Sequence, residues 1–129
     1  MITGIGIDTV DKTRLEKALK RWGGRLLNRL FTVNEIRACA GKHDRIGSLA
    51  ARFAAKEALF KALGTGWRRG VGWKDADVVN DAFGGPRLTL SSRMEERLGR
   101  RRIHLSLSHD SQNAVAVVVI ETVEERAQP

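Results

Sequence analysis

Four charged side chains whose types and spacing could bind a metal-bound phosphate occur within residues 49–66, LAARFAAKEALFKALGTG. The stretch is rich in Ala and Leu and has no Gly or Pro before its terminal glycines, which predicts one long helix. On a helical wheel, the cations Arg52 and Lys56 fall within the apolar arc, and Glu57 and Lys61 flank it one turn apart. A cationic helix face that carries one carboxylate suits a metal-bound ligand that bears phosphates.

The same charges also fit a purely structural helix. Glu57 and Lys61 could form an i,i+4 ion pair, while Arg52 and Lys56 extend their aliphatic stems over apolar surface. Spacing alone favours this structural interpretation. Most of the remaining positions of the helix are alanine, which lets a neighbouring backbone come close.

The first residues predict a strand with one bare face. Within residues 2–8, Gly4 and Gly6 alternate with isoleucines, and Asp8 continues the glycine face. Because glycine weakens a strand, we expect another part of the molecule to approach this face closely. Asp8 either caps the following turn or supplies an acidic ligand for a hard cation.

Capping residues indicate two further helices. Asp11 is a good N-cap for a helix over 12–22, in which Arg14 lies in the first turn, either solvated or available to an acidic partner. Thr32 and Glu35 have the spacing of a capping box, which gives Glu35 a structural role and no chemistry. The polar stretch 41–45 is expected to be a solvated link into the central helix, although its cations could reach a phosphate.

The second half of the chain predicts an antiparallel sheet. The last strand is almost purely apolar, as expected of a strand that is covered on both faces. A charged tail from about residue 124 is expected to fray. The predicted elements are strands over 76–79 and 87–90, a short helix over 92–99 that begins with a capping box at Ser92, and a hairpin of strands 103–109 and 114–120. The whole chain, residues 1–129, is predicted to be one α+β domain with an N-terminal strand, a helical middle and a C-terminal antiparallel sheet.

Composition narrows the class of partner. The 129 residues carry a net charge of +8, from 23 Lys and Arg against 15 Asp and Glu. This excess favours nucleic acid, a membrane surface, an acidic protein or a phosphorylated small molecule. Tyr is absent and Phe is scarce, which leaves few platforms for stacking single-stranded bases. No apolar run could span a bilayer, no signal peptide is evident, and Cys39 is the only cysteine, so we expect a cytoplasmic protein without membrane insertion.

Three motifs in a fixed order resemble a known family. They are GIGID at 4–8, RFAAKEA at 52–58 followed by Lys61 and a Gly64-Thr65-Gly66 turn, and LSLSH at 105–109. Each motif is weak alone, but this order and spacing in a chain of this size are specific. The sequence is similar to the holo-acyl-carrier-protein synthases, the small single-domain group of 4'-phosphopantetheinyl transferases.

The resemblance implies transfer of the 4'-phosphopantetheine arm of coenzyme A onto a serine of an acyl carrier protein in fatty acid biosynthesis, with adenosine 3',5'-bisphosphate as by-product. It also implies a requirement for Mg²⁺ and a homotrimer whose sites lie between subunits. By resemblance, Asp8 and Glu57 are the Mg²⁺ ligands. A metal-bound water, or Glu57 through a water, would accept the serine proton. An acidic carrier protein would account for the net charge without nucleic acid, and Arg14 would help to dock it.

The remaining site residues are also assigned by resemblance. Lys61 would contact the pyrophosphate, while Arg52, Lys56 and His109 would bind phosphates, with His109 at the 3'-phosphate. Backbone amides of Gly64, Thr65 and Gly66 would face the ligand. Asp110 directly follows His109 at a position that varies in the family, and its place in the sequence alone suggests a supporting acid.

Two other functions stay open at this stage. A basic module that binds nucleic acid would explain the charge and the arginines at 68–69 and 100–102, but not the two carboxylates together with the Ser-His strand end. A paralogue that modifies the carrier domains of polyketide or peptide synthases would share the whole site.

Overall fold

A computed structural model describes residues 1–64 and 70–123. The elements in chain order are β1 (Ile2–Asp11), α1 (Lys12–Leu30), α2 (Val33–Ala40), α3 (Arg45–Leu63), a single 3-10 turn (Trp73–Asp75), β2 (Ala76–Asn80), β3 (Pro86–Leu90), α4 (Ser92–Leu98), β4 (Arg101–His109) and β5 (Asn113–Thr122). This order of strands and helices confirms the predicted α+β class. None of the helices in the described part of the chain is long and apolar enough to cross a membrane.

The N-terminal and C-terminal strands pair in one antiparallel sheet. Its order is β1-β5-β4, so the apolar strand β5 is central. Asp8 pairs with Ala116 and His109 pairs with Ala114, which puts these two site candidates at the same end of the sheet. Strands β2 and β3 form a separate hairpin.

Helix α3 packs against the sheet on the glycine face of β1. A Cβ on Gly6 would lie 1.9 Å from the carbonyl oxygen of Ala58, and a Cβ on Gly4 would lie 2.2 Å from that of Ala62. No side chain fits such a contact, so the glycines and alanines let the two backbones meet. This confirms that the bare face of the first strand is closely approached.

The opposite face of the sheet lies open. Ile5 is 64% exposed and Ile7 is 58% exposed, and their partners in β5, Val119 and Val117, are only half-buried. The prediction of a strand covered on both faces therefore holds for one face of β5 within this chain. An apolar sheet face of this kind is typical of contact between protein chains.

Several helix boundaries differ from the prediction. Helix α1 was expected to end at Gly23, but a second helical segment continues to Leu30 across a kink at Gly23, where φ is +59°. Helix α3 begins at Arg45, because Asp44 caps it by accepting a hydrogen bond from the Gly47 amide. Helix α4 is capped by Ser91 in place of Ser92. The expected fraying of the tail concerns residues 124–129, which lie outside the described residues.

Candidate functional site

Helix α3 and strand β1 bring Asp8 and Lys61 together. The Lys61 ammonium donates to Oδ1 of Asp8 at 2.6 Å and to the carbonyl oxygen of Ile7 at 3.2 Å. Glu57 lies one helical turn before Lys61 and is half-buried. The predicted pair of carboxylates and their accompanying cation therefore lie on two elements that pack directly against each other.

The donor set at this position fits a magnesium ion. Within residues 1–64 and 70–123 no group of three or more His, Cys, Asp or Glu side chains could enclose a metal ion. Magnesium does not require such a cage, since it commonly binds one or two carboxylates and completes its octahedron with waters and substrate phosphates. Asp8 and Glu57 are carboxylates of that kind.

A second cluster lies towards the other end of α3. Arg52, His109 and Lys42 line one cleft, together with Asn80 and Pro86 from the ends of the β2–β3 hairpin. The Arg52 side chain is almost fully buried at 5% exposure, and its Nη1 donates to the Ser48 carbonyl oxygen at 3.2 Å. Its Nε has no hydrogen-bond partner within residues 1–64 and 70–123. A buried guanidinium nitrogen without an acceptor marks a place where an anion can bind. We call the cleft lined by Arg52, His109 and Lys42 the anion cleft.

Lys56 does not reach this cleft. Its side chain is fully buried, and its ammonium donates to Oε1 of Glu35 at 2.5 Å and to the Leu30 carbonyl oxygen at 2.9 Å. Burial lowers the pKa of Lys56, and the Glu35 carboxylate offsets part of that effect. The assignment of Lys56 to a phosphate is therefore corrected, because its ammonium is engaged inside the core.

Glu35 has a larger role than its capping box. The box with Thr32 is confirmed, but Glu35 is fully buried and its Oε2 also accepts from the Val78 amide at 3.0 Å. One carboxylate thus joins α2, α3 and β2. The capping pattern identified the local contact, but contacts with residues 21 and 43 positions away left no signal in the sequence.

His109 lies beside a charge cluster at the start of α3. Its Nδ1 is 3.6 Å from Oδ2 of Asp44, which also accepts a hydrogen bond from the Lys12 ammonium at 2.6 Å. The Lys12 hydrogen bond lowers the pKa of Asp44, with help from the Gly47 amide, so the carboxyl is charged at neutral pH. Sequence reasoning missed Asp44 and Lys12. The only available signal was the N-cap position of Asp44, which was obscured by placing the start of α3 too late.

The other candidates have simpler positions. Arg14 is exposed in the first turn of α1, as docking requires. The Gly64 amide donates to the carbonyl oxygens of Phe60 and Lys61, so it ends the helix and does not face a ligand as predicted. Thr65 and Gly66 lie outside the described residues.

Asp110 accepts hydrogen bonds from the Asn113 and Gln112 amides, and these bonds lower the pKa of its exposed carboxyl. It shapes the β4–β5 turn and makes no side-chain contact with His109 among the described contacts.

The comparisons with known proteins all point to the same family. Residues 4–119 match the family model of the 4'-phosphopantetheinyl transferase superfamily. A curated holo-[acyl-carrier-protein] synthase of Geobacter sp. strain M21 is 48% identical over 124 residues, covering 94% of this chain and 99% of that protein. A solved holo-(acyl-carrier-protein) synthase from Bacillus anthracis, in complex with CoA (3',5'-ADP), is 39% identical with a TM-score of 0.80, covering 95% of this chain and 99% of that one. The holo-[acyl-carrier-protein] synthase of Neisseria meningitidis is 35% identical with a TM-score of 0.85, covering 95% and 100%. The chain therefore belongs to the 4'-phosphopantetheinyl transferase superfamily, within its holo-[acyl-carrier-protein] synthase group.

Proposed function

We propose that this chain transfers the 4'-phosphopantetheine group of coenzyme A to a serine of apo-acyl carrier protein and releases adenosine 3',5'-bisphosphate. The observation that carries the proposal is that one helix holds both halves of the site. Arg52 lines the anion cleft, and Lys61, one helical turn after Glu57, donates to Asp8. Lys61 lies nine positions after Arg52 in the helix, about 14 Å along the axis. Coenzyme A likewise presents a 3'-phosphate and a pyrophosphate at separate points.

The residues in the two halves of the site have different roles. The serine oxygen attacks a phosphorus of the pyrophosphate, a new P–O bond forms, and the P–O bond to the leaving adenosine 3',5'-bisphosphate breaks. The proton of the serine hydroxyl would pass through a water to Glu57. Lys61 would neutralise charge that develops on the phosphate oxygens. Arg52 and His109 would fix the nucleotide end, which aligns the reacting phosphorus for in-line displacement.

Magnesium is part of the proposal. Asp8 and Glu57 would hold the ion, and the bound ion would supply positive charge to the pyrophosphate oxygens. The donation from Lys61 to Asp8 keeps that carboxylate oriented towards α3.

The exposed sheet face supports a homotrimer. The open apolar surface around Ile5, Ile7 and Val117 would be covered if copies of the chain packed against it around a threefold axis. We propose that the subunits meet on this face, with each active site at the junction of two subunits. We further propose that the enzyme serves fatty acid biosynthesis in the cytoplasm. The trimer and the pathway stay predictions from the family resemblance.

The test is intact mass spectrometry of apo-acyl carrier protein incubated with the chain, coenzyme A and Mg²⁺. A matched sample contains a chelator, and parallel samples replace the substrate with carrier domains from polyketide and peptide synthases. We expect the mass of one phosphopantetheine to be added to the acyl carrier protein, and the addition to be lost with the chelator. A gain that persists with the chelator would overturn the metal requirement. No gain on any carrier would overturn the function, and a gain confined to synthase domains would favour the paralogue.

A further inference from the structure

The Asp44 side chain contacts three parts of the chain at the start of α3. Its Oδ1 accepts a hydrogen bond from the Gly47 amide at 2.9 Å, which caps the helix. Its Oδ2 lies 2.6 Å from Nζ of Lys12 and 3.6 Å from Nδ1 of His109. One carboxylate therefore links α3 to the first residue of α1 and to the last residue of β4.

His109 lines the anion cleft with Arg52 and Lys42, whereas Asp44 lines a different cleft with Lys12. The two nitrogens of an imidazole point in different directions. A ring with Nδ1 turned to Asp44 therefore leaves Nε2 for the anion cleft.

We propose that Asp44 is a positioning residue that holds His109 with Nε2 directed at the 3'-phosphate of coenzyme A. The inference rests on the proposed function, because it requires coenzyme A to occupy the cleft. Asp44 does not touch the ligand. Protonated imidazole donates at both nitrogens, so one ring can serve the carboxylate and the phosphate at once.

The charges around Asp44 favour this arrangement. A carboxylate near a phosphate site would repel the ligand if its charge were uncompensated. Lys12 compensates it at 2.6 Å, and the Lys12 ammonium is held in place by a second hydrogen bond to the Asp110 carbonyl oxygen at 3.0 Å. The β4–β5 turn, the start of α1 and the start of α3 thus form one rigid support behind His109.

The test compares Asp44→Asn with the parent enzyme on two substrates, coenzyme A and 3'-dephospho-coenzyme A. Asn is as good an N-cap as Asp, so the variant keeps the helix cap and removes the charge facing His109. We expect kcat/KM for coenzyme A to fall by about tenfold, as for the loss of a well-placed charged hydrogen bond. We expect kcat/KM for the dephospho substrate to change by no more than about twofold. A purely structural role for Asp44 would lower both values equally and would overturn the proposal.

His109→Gln separates this inference from the function on which it rests. If His109→Gln leaves the preference for coenzyme A unchanged, the assignment of His109 to the 3'-phosphate is wrong. If His109→Gln removes the preference and Asp44→Asn does not, only the positioning role of Asp44 is wrong. If both assignments are correct, Asp44→Asn has no further effect on the preference for coenzyme A in a protein that already carries His109→Gln.

One further outcome is decisive. Tighter binding of coenzyme A by Asp44→Asn would show that Asp44 competes with the phosphate for His109, and would overturn the proposal. Asp44→Ser, which also retains an N-cap, replaces Asp44→Asn if circular dichroism shows that the Asn variant does not fold. We expect Asp44→Ser likewise to lower kcat/KM for coenzyme A and to leave kcat/KM for the dephospho substrate nearly unchanged.

Discussion

The ammonium of Lys56 lies 2.5 Å from Oε1 of Glu35, and both side chains have no exposed surface. Lys56 is followed directly by Glu57 of the proposed metal site. The pair therefore fixes the turn of α3 from which Glu57 projects. A buried ion pair is itself weak evidence for stability, but the loss of one partner leaves an uncompensated charge in the core.

Lys56→Met should destabilise the protein strongly. The substitution keeps much of the side-chain volume and leaves Glu35 buried without its cation, which costs about 3–5 kcal/mol in such pairs. The measurement is the free energy of unfolding in urea. The matched control is Lys20→Met, because Lys20 pairs with Glu16 at the surface with 77% of its side chain exposed, and we expect a change below about 1 kcal/mol there. Equal effects of the two variants would contradict a core role for Lys56.

Gly6→Ala tests the close contact between β1 and α3. The added Cβ would lie 1.9 Å from the Ala58 carbonyl oxygen, so strand and helix must separate. We expect a loss of stability of about 1–3 kcal/mol or more, in the range of overpacked cores, together with reduced activity because Asp8 follows on the same strand. Gly41→Ala is the control, since a Cβ there meets nothing within 4 Å. Thermal unfolding of both variants gives the comparison, and an unchanged melting temperature for Gly6→Ala would contradict the packing.

Glu57→Gln tests the proposed metal site. The substitution keeps the shape of the side chain and removes its charge, so we expect the fold to persist and kcat to fall by about a hundredfold or more. Initial rates over a series of Mg²⁺ concentrations provide the measurement, with Glu96→Gln on the exposed side of α4 as the control. Full activity in Glu57→Gln would remove Glu57 from the site.

Arg14→Glu tests the docking of an acidic carrier protein. Reversal of an exposed charge on α1 should weaken the encounter with an acidic partner, and we expect KM for the carrier protein to rise by about tenfold. KM for coenzyme A should stay nearly constant, because Arg14 does not line the anion cleft. Arg37→Glu, an exposed reversal on α2, is the matched control. Equal effects on both KM values would argue against docking by Arg14.

Local patterns predicted most of the fold. Alternation revealed the strands β1, β4 and β5, capping residues revealed α1, α2 and α4, and the run of Ala and Leu revealed α3, because these signals reside in neighbouring residues. The kink at Gly23 was not predicted, because a glycine with a positive φ can either end a helix or change the direction of its axis. The open face of β5 was not predicted either. The sequence of an apolar strand is the same whether its second face is covered by its own chain or by another chain.

The site was only partly predictable for the same reason. Asp8, Glu57, Lys61 and His109 were marked by motifs. Lys56 was assigned with them, but its partner Glu35 comes from another helix and could not be read from spacing. Asp44 reaches His109 only because α3 and β4 meet in the folded chain.

Ile5→Asp tests the proposed homotrimer. Ile5 is 64% exposed and pairs with Val119 on the open sheet face, which is the face of β1 opposite the one that carries Gly6 and Asp8. A carboxylate on a covered apolar face would be buried without a partner, so we expect the variant to sediment as a smaller species than the parent chain. Phe83→Asp is the control, because Phe83 is 98% exposed and lies in the loop between β2 and β3, away from this face. Analytical ultracentrifugation at several concentrations gives the mass of each. A parent chain that sediments as a monomer would contradict the trimer, and an Ile5→Asp variant that keeps the parent's trimeric mass would place the subunit contact on another surface.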